Sequence, residues 1–114
     1  MLAFRTLLIV AWVALIAYTV TVIGDHGLNL IPIFFGDIAR GAWPGQFNAD
    51  FMCFLMLSAL WTAWRNGFTP SGCLLGVVAL LGGAAFLLPY LLILSLRARG
   101  DVAVMLMGRH VGSR

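Results

Sequence analysis

The chain has 114 residues, 62% of them hydrophobic and 10% charged, with a mean hydropathy of +1.03. A water-soluble domain of this length carries about a quarter charged residues and cannot hide so much apolar surface, so the composition points to an integral membrane protein. The net charge of +3 comes from seven arginines against four aspartates; they form no dense basic face, which excludes a nucleic-acid partner and leaves the lipid bilayer, where arginines at helix ends meet phosphate.

Between Arg5 and Asp25 lie nineteen uncharged residues, close to the ~20 needed to cross ~30 Å of hydrocarbon. A secretory signal peptide competes for this stretch. Its apolar core is too long, however, and no small-x-small cleavage site follows, so an uncleaved span is expected over residues 4–23. Asp25-His26-Gly27 reads as the turn that ends it.

The loop over residues 24–43 carries Asp25, His26, Asp37 and Arg40 and is interrupted by glycines and prolines. Pro32 opens a short amphipathic helix with Ile31, Phe34, Phe35 and Ile38 on one side, and Asp37 and Arg40 three apart on the other. Such a segment lies in the headgroup region with its aromatics toward the acyl chains; an ordered hydrophobic loop is the alternative.

Trp43-Pro44 then opens a second span over residues 44–64, closed by Trp61, Trp64 and Arg65. After the turn signals Asn66-Gly67 and Thr69-Pro70-Ser71-Gly72, a third span is expected over 72–96, ending at Arg97 and Arg99. Pro89 removes the bond to the carbonyl of Ala85 and predicts a kink. The tail, residues 97–114, is too short to cross again, and Val102 to Met107 is expected to rest on the membrane surface. The expectation is one all-α, multi-pass domain: three transmembrane helices with an interfacial segment between the first and second.

Three spans would put the first loop and the tail on one side, gathering Asp25, His26, Asp37, Asp50, Asp101 and His110 there. Orientation signals conflict. Arg40, Arg97, Arg99, Arg109 and Arg114 on that side argue for a cytoplasmic tail, whereas Arg5 before the first helix and Asp25 after it argue the reverse. Cys53 and Cys73 fall near opposite membrane faces on this reading, beyond disulfide reach, and are expected to be buried free thiols.

Asp50 is the ionisable residue that lies within a span. Six residues past Pro44, about 9 Å along the helix, it sits where a carboxylate costs less than the ~2.5–3.5 kcal/mol of mid-bilayer. Gln46, Asp50 and Cys53 form a polar stripe with Ser58 and Arg65 farther along. The functional reading is a polar groove or proton-active carboxyl, with Asp37, Arg40, Gln46, Asn48 and Asp50 as the candidate polar site; the structural reading is a charge pair with Arg40 or Arg97. No ligand spacing supports a metal site, neither His26 nor His110 lies in a span where haem would want it, and Ser58, Ser71 and Ser95 have no activating partners nearby. Catalytic residues, cofactors and metals are accordingly not expected.

Gly72 and Gly76, and Ala79 and Gly83, are small residues four apart that let helix backbones approach closely. They serve either to close the three-helix bundle or to dock the third helix on another copy or a larger membrane complex.

The run His26-Gly27-Leu28-Asn29-Leu30, then Phe34-Phe35-Gly36-Asp37-Ile38, Phe47-Asn48-Ala49-Asp50 and Phe86-Leu87-Leu88-Pro89-Tyr90-Leu91, resembles a family of small bacterial three-span membrane proteins catalogued as a domain of unknown function. The resemblance covers about Arg5 to Arg99 and implies a bacterial inner-membrane location and that fold, with no activity attached. In such proteins the second loop is basic; here it carries only Arg65. The functional expectation is a structural or accessory membrane component docking through its third helix. The alternative is a module that binds or moves a lipid, small solute or proton at Asp50, and an enzyme is the least supported reading.

Overall fold

A computed structural model describes residues 1–111. They form α1 (Leu2–His26), α2 (Leu30–Arg40), α3 (Trp43–Arg65), α4 (Pro70–Gly82), α5 (Ala84–Arg97) and α6 (Val102–Met107), closed by a 3₁₀ turn, Gly108–His110, and no strand occurs among the described residues. The fold is all-α.

α1 is 25 residues long, about 37 Å at ~1.5 Å per residue, and is the helix long and apolar enough to cross a membrane. It runs through Asp25 and His26, which therefore close the helix rather than form a turn, and it stops at Gly27 with φ +73°. α3 has 23 residues and begins at Trp43 with Pro44 in its first turn, where the missing N–H has no helical acceptor to lose. α2 is the amphipathic segment expected from Pro32. It crosses α3 backbone to backbone: a Cβ at Gly45 would overlap the Asp37 carbonyl and sit 2.8 Å from Ile38 Cα.

The expected third helix over 72–96 is instead two helices. Gly83 alone joins α4 to α5, at φ +55° and ψ −137°, a conformation open to glycine and little else. The chain reverses there. Gly72, at the start of α4, packs against Asn66, and Asn66 Nδ2 also donates to the Tyr90 hydroxyl, halfway along α5, at 3.1 Å. A straight helix would separate residues 72 and 90 by about 27 Å; both meet Asn66 because α4 and α5 form a hairpin. At 13 and 14 residues, each arm is only ~20 Å long.

α4 runs antiparallel to α3 along the small residues singled out in the sequence. A Cβ at Gly76 would lie 3.0 Å from the Ala59 carbonyl oxygen and 3.3 Å from Ala63 Cβ, and one at Gly83 would lie 3.0 Å from the Phe51 ring. Ala79 is fully buried on the same face. α5 then packs against α1, and it continues unbroken through Pro89. The carbonyl of Ala85, freed by that proline, accepts a hydrogen bond from the Trp12 indole at 3.0 Å. The orphan is satisfied from another helix, which is how proline is tolerated inside a membrane-type helix.

The tail lies at the end of the molecule that holds residue 1. A Cβ at Gly100 would sit 3.6 Å from Met1, and α6 packs against the last turns of α3. Asp101 and His110 are therefore at the opposite end from Asp25, His26 and Asp37, not gathered with them as a single third span would require.

Candidate functional site

The sequence-predicted polar residues do not converge. Asp37 and Arg40 form an ion pair at 3.2 Å on the outer side of α2, an exposed i,i+3 pair worth only a few tenths of a kcal/mol. Asn48 donates to the Phe34 carbonyl at 3.1 Å and fastens α2 across α3. Gln46 lines a shallow cleft of about 420 Å³ with Gly41, Ala42 and Trp43. Asp50 lies two residues past Asn48, about 200° around the helix; it is exposed and has no hydrogen-bond or ion-pair partner among the described residues. The pairing with Arg40 or Arg97 expected for Asp50 is absent, because Arg40 is taken by Asp37 and Arg97 is at the far end of the molecule. The polar stripe likewise faces outward: Cys53 is exposed, as is Cys73, and both are free, which corrects the expectation of buried thiols. Ser58 is the inward member, and its Oγ is buried with no hydrogen-bond partner among the described residues. No group of three metal-ligating side chains occurs among the described residues.

A second constellation lies at the opposite end, where the last turns of α3, α5 and α6 come together. A helix C-terminus leaves carbonyls without helical donors and carries partial negative charge. Each of these three ends is met by a donor from elsewhere in the chain. Arg5 donates through Nη2 to the Ser95 carbonyl at 2.9 Å and through Nε to Ser95 Oγ at 3.1 Å, and that hydroxyl donates to the Leu92 carbonyl at 2.7 Å. Arg65 donates through Nε to the Met105 carbonyl and through Nη2 to that of Val104 at 3.3 Å, while the Trp61 indole donates to Leu106 at 3.0 Å. His110 stacks on the Trp64 ring with centroids 4.1 Å apart, its Nε2 lying 2.7 Å from the Trp64 carbonyl.

These contacts consume Arg5, Arg65, Trp12, Trp61 and His110 in holding the fold. The sequence alone suggested a lipid-facing role for the arginines and gave no sign of their carbonyl partners; Pro89, by stranding Ala85, signalled only the carbonyl that Trp12 meets. Arg97, Arg99 and Arg109 have no hydrogen-bond or ion-pair partner among the described residues, so this rim carries free positive charge. Arg99 is also held at φ +52°, in the left-handed region where glycine is the usual residue.

Beside this rim, Met1, Phe4, Leu91, Val102, Met105 and Leu106 enclose an apolar pocket of about 420 Å³ between α1, α5 and α6. No family model, curated protein or solved structure matches the chain, and the resemblance to small bacterial membrane proteins rests on the quoted motif residues alone.

Proposed function

We propose that this chain is a multi-pass membrane protein with a structural or accessory role, in which α1 and α3 cross the bilayer and the α4–α5 hairpin enters about halfway from the side of residue 1. The observation that carries this reading is the nearness of Gly100 to Met1, where a Cβ on the glycine would lie 3.6 Å from the methionine, beside two antiparallel helices of 25 and 23 residues. Both helices match the hydrocarbon thickness, and arms of 13 and 14 residues do not. The arginines agree with it. Among the described residues, Arg5, Arg65, Arg97, Arg99 and Arg109 fall at one end and Arg40 at the other. The first-helix signal and the tail signal then point the same way, toward a cytoplasmic rim that carries both the start and the tail.

The small-residue face of α4 is taken by α3, so docking on a second copy or a larger complex falls to surfaces without an internal partner. These are α1 from its middle onward, with Val13, Tyr18 and Val20 exposed, and the Phe47 and Phe54 side of α3. Reporter tags before residue 1 and after residue 114 test the topology. Both are expected in the cytoplasm, with a cysteine placed at Leu28 labelled only from the opposite side; tags reporting opposite compartments would overturn the arrangement.

The second reading, a module that handles a solute or proton at Asp50, is favoured by an exposed carboxylate within α3 that has no partner among the described residues. Asp50→Asn separates the two. Lost binding or flux in a folded variant supports the module, and unchanged behaviour supports the accessory role.

A further inference from the structure

We infer that the apolar pocket between α1, α5 and α6 holds an acyl chain of an anionic phospholipid, with the lipid phosphate met by Arg97 and Arg99. This rests on the membrane reading above. The pocket is lined by six apolar residues and has a volume of about 420 Å³, within the range of small-ligand sites. Its edge is the α5–α6 link: a Cβ at Gly100 would lie 3.6 Å from Met1, a lining residue, Val102, another, follows two residues on, and Arg97 and Arg99 stand on either side of Ala98 just before it.

Charge decides the class of occupant. Both guanidinium groups are exposed and without a partner among the described residues. The acid nearest them in the chain, Asp101, accepts from the Val104 N–H at 3.3 Å, capping α6, and its single negative charge offsets only one of the two arginines. Two arginines against one aspartate leave net positive charge on the link beside an apolar slot, at the rim where headgroups lie, which favours a phospholipid with no headgroup cation of its own over a zwitterionic one. Arg99 occupies a left-handed position, φ +52°, where glycine would relieve strain, so its removal can be read separately from stability.

The test is native mass spectrometry of the full chain released from nanodiscs of dioleoyl phosphatidylglycerol mixed equally with dioleoyl phosphatidylcholine. The wild type is expected to retain one phosphatidylglycerol. Arg97→Gln with Arg99→Gln should weaken retention about 30-fold, at ~1 kcal/mol per arginine near a headgroup surface, and Arg99→Gly alone about fivefold while raising the unfolding temperature. Val102→Trp, which fills the slot, should abolish retention with the charges intact, and Arg40→Gln at the other end should leave it unchanged. Equal retention of the two lipids, no loss in the Arg97→Gln/Arg99→Gln variant, or an equal loss in Arg40→Gln would each overturn the site. A chain that stays monodisperse in buffer without detergent would instead overturn the membrane reading beneath it.

Discussion

The two ends of the molecule are built differently. At the hairpin end, α1, α3, α4, α5 and α6 meet, and nearly every buried residue is there: Leu8, Thr62, Gly72, Gly76, Ala79, Gly83, Leu94, Ser95 and Met105. At the other end, Gly45 is the one buried position among the described residues, and the second half of α1 is largely bare. Helices in lipid gain nothing from burying leucine against leucine; they associate where small residues allow close backbone approach and where polar donors find stranded carbonyls. The hairpin end has both, and the loop end has only the crossing of α2 over Gly45.

That contrast can be broken most strongly at Gly76. Gly76→Leu drives a side chain into the Ala59 carbonyl and Ala63 and is expected to cost about 3 kcal/mol or more, seen as loss of the folded species in detergent unfolding. Gly45→Val attacks the other end. It should free α2 from α3 at a smaller global cost of about 1–2 kcal/mol, with faster amide exchange confined to residues 30–48. If Gly45→Val unfolds the chain as readily as Gly76→Leu, the two ends are not energetically distinct.

The carbonyl-capping contacts allow a finer test. Trp12→Phe strands the Ala85 carbonyl and should cost about 1 kcal/mol. In a Pro89→Ala background, residue 89 regains an N–H that reaches the same carbonyl, so the cost of Trp12→Phe should fall by at least half in a double-mutant cycle. Additive effects would mean that the indole contributes by packing alone. Smallest of all, Asp50→Asn should change unfolding by less than ~0.5 kcal/mol, because the carboxylate has no partner among the described residues; a large loss would show that it is held by a contact outside them.

Much of the architecture was readable in the residues themselves. A 19-residue uncharged run fixes the first helix, Trp43-Pro44 sets the start of α3, Pro32 with its apolar neighbours gives α2, and the spacing of Gly72, Gly76, Ala79 and Gly83 marks the face that packs. These are local signals, set by hydropathy, proline chemistry and side-chain size. The hairpin was not readable in the same way. Gly82-Gly83 permits a reversal as well as a close helix contact, and the apolar stretch from residue 72 to 96 is as compatible with one helix as with two.

Tertiary contacts decided between them. Phe51 and Leu55 close on Gly83, Tyr90 reaches Asn66, and Trp12 satisfies the carbonyl that Pro89 leaves open. The candidate polar site fared likewise: the sequence supplies Asp37, Arg40, Gln46, Asn48 and Asp50 within fourteen positions, but a helix turns 100° per residue and sends Asn48 and Asp50 to different sides. Residue chemistry determined which segments are helical and apolar. Only the folded chain determined which ends meet, because a carbonyl or a guanidinium reads the same in sequence whether its partner is lipid, water or another helix.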